Sequence, residues 1–158
     1  MGGAGKDSGG VIADSAFLMT ITPVHNWQQH WSTARPHLVK VCERVDDMTI
    51  DDIYDGLKTD NNFKLVMMPT GAAVIRLEDQ AVHVVGVGGK FEKGWTTEFT
   101  SFLLDVAMIT GRSKATLNGR KGWLRALKPI GWVPTENGME IPYNGWIKRV
   151  ETEQQQQQ

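Results

Sequence analysis

The densest set of groups suited to holding an anion lies between Gly86 and Thr97, in the run GVGGKFEKGWTT. Its four glycines let backbone approach a ligand closely, its two lysines supply positive charge, and Thr96 and Thr97 stand where a hydroxyl can cap the start of a helix. Unpaired N–H groups at a helix start, backed by the positive end of the helix dipole, attract phosphate. The spacing excludes two familiar phosphate loops. A dinucleotide fingerprint needs a glycine where Phe91 stands, and a P-loop needs Lys and then Ser or Thr after Gly94, where Trp95 stands. Two readings stay open. Either Gly88, Gly89, Lys90, Lys93, Gly94, Trp95, Thr96 and Thr97 form an anion site, or the loop only caps the helix that follows it.

Glu78, His83 and Glu92 are the groups near this loop that can take a proton from a nucleophile. Each also has a plainer role: Glu78 in a turn, Glu92 in a solvated loop, and His83 as a hydrogen-bonded histidine within an apolar strand. His25, His30 and His37 are separated by five and seven residues, which does not stack them on adjacent helical turns, so no metal site is expected. The lone Cys42 cannot form an internal disulfide and reads as a packed thiol in a reducing compartment.

Charge is unevenly placed along the 158 residues although the net value is only −1. Glu43 to Asp60 holds seven acidic and two basic residues, whereas Val106 to Thr135 holds six basic residues and no carboxylate. The balance argues against nonspecific nucleic-acid binding driven by the whole-molecule field, and no specific nucleic-acid partner is expected. The basic run reads either as a solvated face or as a patch for a phosphorylated ligand. No window approaches the length of apolar sequence a membrane span needs.

These residues must be positioned by regular elements, and the periodicity names them. Phe17 to Thr22 reads as a first strand ended by Pro23. Trp27, Trp31, Ala34, Leu38, Val41 and Val45 recur at helical spacing, with a kink or restart expected at Pro36. Thr49 and Asp52 form a capping-box pattern for a second helix with Ile50, Ile53, Tyr54 and Leu57 on its inner side. The runs 63–68, 72–77 and 81–87 predict an antiparallel meander. Phe99, Phe102, Leu103, Val106 and Ala107 mark a third helix ended by Gly111, and 114–117 a short strand. Trp123, Leu124, Leu127 and Ile130 form the buried stripe of a last helix that Pro129 stops, followed by strands near 132–134 and 139–150. Of the six tryptophans, Trp27, Trp31 and Trp123 fall on core stripes, while Trp95 and Trp146 are candidates for exposure and docking. Residues 1–15, rich in Gly and lacking a signal-peptide core, read as a flexible arm, and 151–158 as a polar Gln tail, leaving one domain over 16–150. Lys6, where a Ser or Thr is needed, excludes a myristoylation motif.

The run NGRKGWLRALKPIGWVP, Asn118 to Pro134, resembles the last helix of the GNAT (acetyl-CoA-dependent N-acetyltransferase) superfamily, which ends in a leucine, a glycine and an aromatic. It is most similar to the GNAT-like proteins of tailed bacteriophages, in which a Gly-Arg-x-Gly-Trp run, here Gly119 to Trp123, opens this helix; TIDDIYDGL, Thr49 to Leu57, carries the same likeness. The order of elements also resembles GNAT from Phe17 to Val150. The resemblance implies an α+β, three-layer α/β/α fold. It also implies a mixed, mostly antiparallel sheet of six to seven strands, a splayed parallel pair formed by the fourth and fifth strands, and four helices. It implies acetyl-CoA as cofactor, entering the splay with its pyrophosphate on the loop Gly88–Thr97. The family's Arg-or-Gln motif is replaced, with Phe91 at the Arg or Gln, Gly94 at the first glycine and Thr96 at the second small position. The tyrosine that serves many relatives as general acid is replaced by Leu127. With these departures the phage likeness implies a virion component, internal, ejected or portal-associated. Its catalysis would be degenerate or absent, its partners other portal or head and tail proteins, and its location the virion or the infected host cytoplasm. The alternative is an active N-acetyltransferase modifying a host or phage amine.

Overall fold

A hairpin meander forms the centre of the molecule because its strands alternate side chains between two apolar faces. In the computed structural model, which describes residues 20–22, 26–45, 47–118 and 121–144, the chain runs β1 (Thr20–Thr22), α1 (Gln28–Cys42), α2 (Ile50–Thr59), β2 (Phe63–Met68) and β3 (Gly71–Leu77). It continues through β4 (Ala81–Gly89), α3 (Trp95–Ile109), β5 (Lys114–Leu117) and α4 (Lys121–Leu127), which a 3-10 turn at Lys128–Ile130 prolongs. β6 (Val133–Pro134) and β7 (Met139–Pro142) follow. The expected arm, the Gln tail, Gly119, Arg120 and Trp146 lie outside the described residues.

The strands form one seven-stranded sheet in the order β1-β2-β3-β4-β5-β7-β6 among the described residues. All neighbours pair antiparallel except β4 and β5, which run parallel and are joined through α3, as a parallel pair requires. On β3, Ala73 and Ile75 enter the core under α3 and α4, while Ala72 and Val74 enter the core under α1 and α2. Two helix layers therefore sandwich the sheet, giving the expected α/β/α architecture. Trp27, Leu38, Ile53, Leu57 and Leu65 fill one core; Leu103, Leu104, Leu127, Trp132 and Ile141 belong to the other. Each such side chain contributes about 1.5–3 kcal/mol when fully removed from water.

Four local expectations are corrected. α1 continues through Pro36 without a restart. The missing N–H and the carbonyl it would have served, that of Ser32, belong to exposed residues, so that carbonyl is open to solvent. Thr96 and Thr97 do not cap α3. The N-cap is Gly94, at φ 93°, and the threonines sit inside the first turn. Trp95 is half-buried rather than free for docking, stacked on Phe91 at 4.3 Å between ring centres and edge-on to Trp123 at 5.8 Å. Pro129 also falls within the 3-10 turn, so the helix tightens before Gly131, at φ 122°, turns the chain toward β6.

Candidate functional site

The β4–β5 ladder is short. It runs from Ala81 opposite Lys114 to Val84 opposite Leu117, and then the two strands part: β4 continues to Gly89 while the chain leaves β5 at Asn118 toward α4. At the same point β4 carries a bulge. Val74 of β3 stands opposite Gly86 and Ile75 opposite Val84, so Val85 is the extra residue, with no partner on β3 or β5. A bulge of this kind disrupts the ladder locally and leaves backbone polar groups available.

A cleft of 560 Å³ opens from this wedge. Its floor is Val84, Val85, Gly86 and Val87 of β4 with Leu117 and Asn118. One wall is the start of α3, Trp95, Thr96, Phe99 and Thr100; a second is Trp123, Leu127 and Trp132. The end of α1 and the segment after it supply Val41, Arg44, Val45 and Asp47, and Asn137 comes from the β6–β7 turn. The mixture of apolar walls with a few polar groups suits a small organic ligand.

α1 can lie close to this floor because β4 is glycine-rich. A Cβ on Gly88 would stand 2.4 Å from the His37 carbonyl oxygen, and one on Gly86 would stand 3.0 Å from Val41 Cγ1. These glycines, which the sequence offered as phosphate contacts, also permit the helix to approach. Gly89 turns the strand out at φ 145°, and the loop is tied to the β2–β3 turn: the Lys90 N–H donates to the Thr70 carbonyl at 3.2 Å, and the Thr70 hydroxyl donates to the Lys90 carbonyl.

The anion candidates are thus distributed as follows. Trp95 and Thr96 line the cleft; Lys90, Lys93, Gly94 and Thr97 are exposed beside it. The Trp95 and Thr97 N–H groups already donate to the Glu92 and Gly94 carbonyls, each at 3.2 Å. The basic side chains that the structure describes do not converge here. Arg112 donates to the Glu78 and Thr110 carbonyls, Lys114 pairs with Glu140 at 3.3 Å, and Arg125 and Lys128 are exposed away from the cleft.

None of the three proton-accepting candidates lines the cleft. Glu78 is ion-paired with Arg76 at the far end of the hairpin. Glu92 is exposed in the loop. His83 lies on β4 opposite Thr116, with Nδ1 hydrogen-bonded to the Thr116 hydroxyl at 2.9 Å. Burial pushes its pKa below 6.5; Glu78 opposes that shift and Arg76 adds to it. Leu127 lines the cleft and is only 3% exposed. No group of residues suited to holding a metal ion occurs among those described, and no helix there is long and apolar enough to cross a membrane.

Sequence reasoning missed Val41, Arg44, Asp47, Thr100, Asn118 and Asn137 as cleft residues. The bulge did leave a signal: two successive valines, Val84 and Val85, interrupt the strand's alternation before Gly86.

The parallel splayed pair, its bulge and the flanking α3 and α4 define a GNAT fold, the fold of the N-acetyltransferases. A mutant form of the spermidine N-acetyltransferase SpeG from Vibrio cholerae superposes with a TM-score of 0.60 at 11% identity, covering 86% of this chain and 99% of that one. A chain of the NatC complex bound to Gag peptide and CoA gives 0.57 at 9% identity, over 80% and 98%. The PaiA N-acetyltransferase from Thermoplasma acidophilum, in complex with coenzyme A, gives 0.51 at 10% identity, over 81% and 99%. By sequence, no protein-family model and no curated protein matches the chain.

Proposed function

We propose that this protein binds acetyl-CoA in the β4–β5 wedge and transfers the acetyl group to an amine that enters beside Arg44, Asp47 and Asn137. The observation that carries the reading is the cleft itself, which opens at a backbone position, Val85, that neither neighbouring strand pairs. The backbone groups at Val85 receive the polar chain of the thioester. Lys90, Lys93 and the Thr96 N–H receive the pyrophosphate at the start of α3, beside Gly88, Gly89, Gly94, Trp95 and Thr97. The attacking nitrogen gives its proton to water beside Asp47, the one carboxylate that lines the cleft among the described residues, where no histidine or glutamate does.

Calorimetric titration with acetyl-CoA tests this. Saturable heat is expected. Lys90→Ala with Lys93→Ala should weaken binding roughly three- to tenfold at low salt and by less at high salt, as exposed charge contacts do. No heat at millimolar ligand would remove the reading.

A second reading draws on Leu127 and Phe91, which stand where the superfamily's phenol and Arg or Gln are absent, together with the phage likeness of Thr49–Leu57 and Gly119–Trp123. On it the fold is retained as a virion part, docked to portal, head or tail proteins. Mass spectrometry of purified particles tests it, and absence of the protein from them would end it.

A further inference from the structure

Thr100 brings a polar group into the cleft wall whose proton has no place to go within the described protein. It lies in the second turn of α3, is 1% exposed, and lines the wedge. Its oxygen accepts a hydrogen bond from the indole N–H of Trp132 at 3.0 Å, and Trp132 is itself 1% exposed. A threonine in a helix commonly sends its proton to the carbonyl one turn earlier. Thr59 and Thr110 do so, at 2.6 Å to Asp55 and 2.7 Å to Val106. Thr100 has no such acceptor among the described residues. A buried donor left unmatched is costly, so a buried hydroxyl on a cleft wall with its oxygen already engaged marks a ligand contact.

We propose that the Thr100 hydroxyl donates a hydrogen bond to the sulfur of an acyl thioester seated in the wedge. This rests on the acetyl-transfer reading and names the group that takes the place of the missing phenol. Leu127 and Trp132 share this wall, and the Trp132 backbone N–H donates to the Leu127 carbonyl at 3.3 Å. The indole, the hydroxyl and the position of the absent phenol therefore form one connected patch. In the transfer step the amine nitrogen forms a bond to the acyl carbon, and the C–S bond breaks with its electron pair going to sulfur. The nitrogen's proton goes to water. Thr100 keeps its own proton and shares it with the sulfur. An aliphatic hydroxyl is too weak an acid to surrender it to a thiolate, whose conjugate thiol has a pKa of about 8.5. The indole holds the oxygen so that the proton faces the cleft.

The test compares CoA with desulfo-CoA, which lacks the sulfur, by calorimetry on the full chain as pH is raised through the thiol range. In the wild type, preference for CoA should grow as the thiol ionises, because a thiolate accepts the Thr100 hydrogen bond better than a thiol. Thr100→Val should lower that preference at high pH roughly tenfold, leaving desulfo-CoA affinity unchanged, since a hydrogen bond to a charged acceptor is worth more than a neutral one. Thr100→Ser should keep it. A Thr100→Val protein with the wild-type ratio of the two affinities overturns the proposal. So does one that loses both ligands alike while Thr100→Ser binds normally, because that is the mark of packing. If the wild type binds neither ligand, the acetyl-transfer reading itself falls, and the role of Thr100 with it.

Discussion

His83 shows how one residue can be visible in a sequence while its role is not. An imidazole in an apolar strand beside a glycine-rich loop reads first as a structural hydrogen bond and second as a base, and the register decides. Opposite Thr116, it spends Nδ1 on the neighbouring strand and stays outside the cleft. Its lowered pKa has a consequence for stability. Burial, the largest cause, disfavours the charged ring in the folded state, so the unfolded chain binds a proton first as pH falls through 6.5. Stability is then lost progressively below 6.5 until the folded-state pKa is reached, and the effect is absent well above 6.5. Urea unfolding at successive pH values should show this decline in the wild type and a shallower one in His83→Gln. Equal slopes in the two proteins would mean that His83 does not carry the dependence. Thr100 was harder to find. In the sequence it is one hydroxyl within an apolar helix stripe, and its meaning depends on Trp132, thirty-two positions away.

At the scale of elements, the most legible features are those whose cause is local. Thr49 and Asp52 give the capping box that the spacing predicts: the Asp52 N–H donates to the Thr49 hydroxyl at 3.1 Å, and the Thr49 N–H donates to the Asp52 carboxylate at 2.9 Å. Thr49→Ala should cost about 1 kcal/mol, within the range of roughly 0.5–2 kcal/mol for lost caps. Thermal unfolding should report it as a drop of about 2–4 °C for a chain of this size, and Thr49→Ser should restore most of it. No change in Thr49→Ala would show that tertiary packing alone sets this end of α2. The strands of the meander were similarly legible because short apolar runs there are bounded by Pro69-Thr70-Gly71 and Glu78-Asp79-Gln80 turns. The start of α3 was not. Either threonine can cap a helix, but Gly94 adopts a positive φ and starts the helix earlier, and propensity does not distinguish these outcomes. The β4 bulge was hard to place for a related reason: Val84 and Val85 break the alternation, but Gly86, Gly88 and Gly89 have no side chains with which to declare a face.

At the scale of the whole molecule, the two halves of the sheet are joined where the cleft opens. Between the β1–β4 half and the β5–β7–β6 half, the described ladder has only the four residue pairs from Ala81 with Lys114 to Val84 with Leu117. Beyond them, Val85 to Gly89 have no partner on β5, while Gly86 to Gly89 still pair with β3 on their other edge. A thioester bound there touches both halves, because Val84–Val87 belong to one and Leu117, Leu127 and Trp132 to the other. On the acetyl-transfer reading, its binding therefore adds to the stability of the join as well as to that of the fold. At a ligand concentration of about 100 times Kd, linkage gives roughly 2.7 kcal/mol. That corresponds to a rise in Tm of about 5–10 °C for a domain of this length. Hydrogen exchange should localise the effect, with slowing greatest at the amides of Val85–Gly89 and Lys114–Leu117 and least in α2, which packs on the opposite face and does not line the cleft. Slowing confined to α2 and β2, or a Tm unmoved by ligand at these concentrations, would place any binding away from the wedge and separate this fold from the chemistry assigned to it.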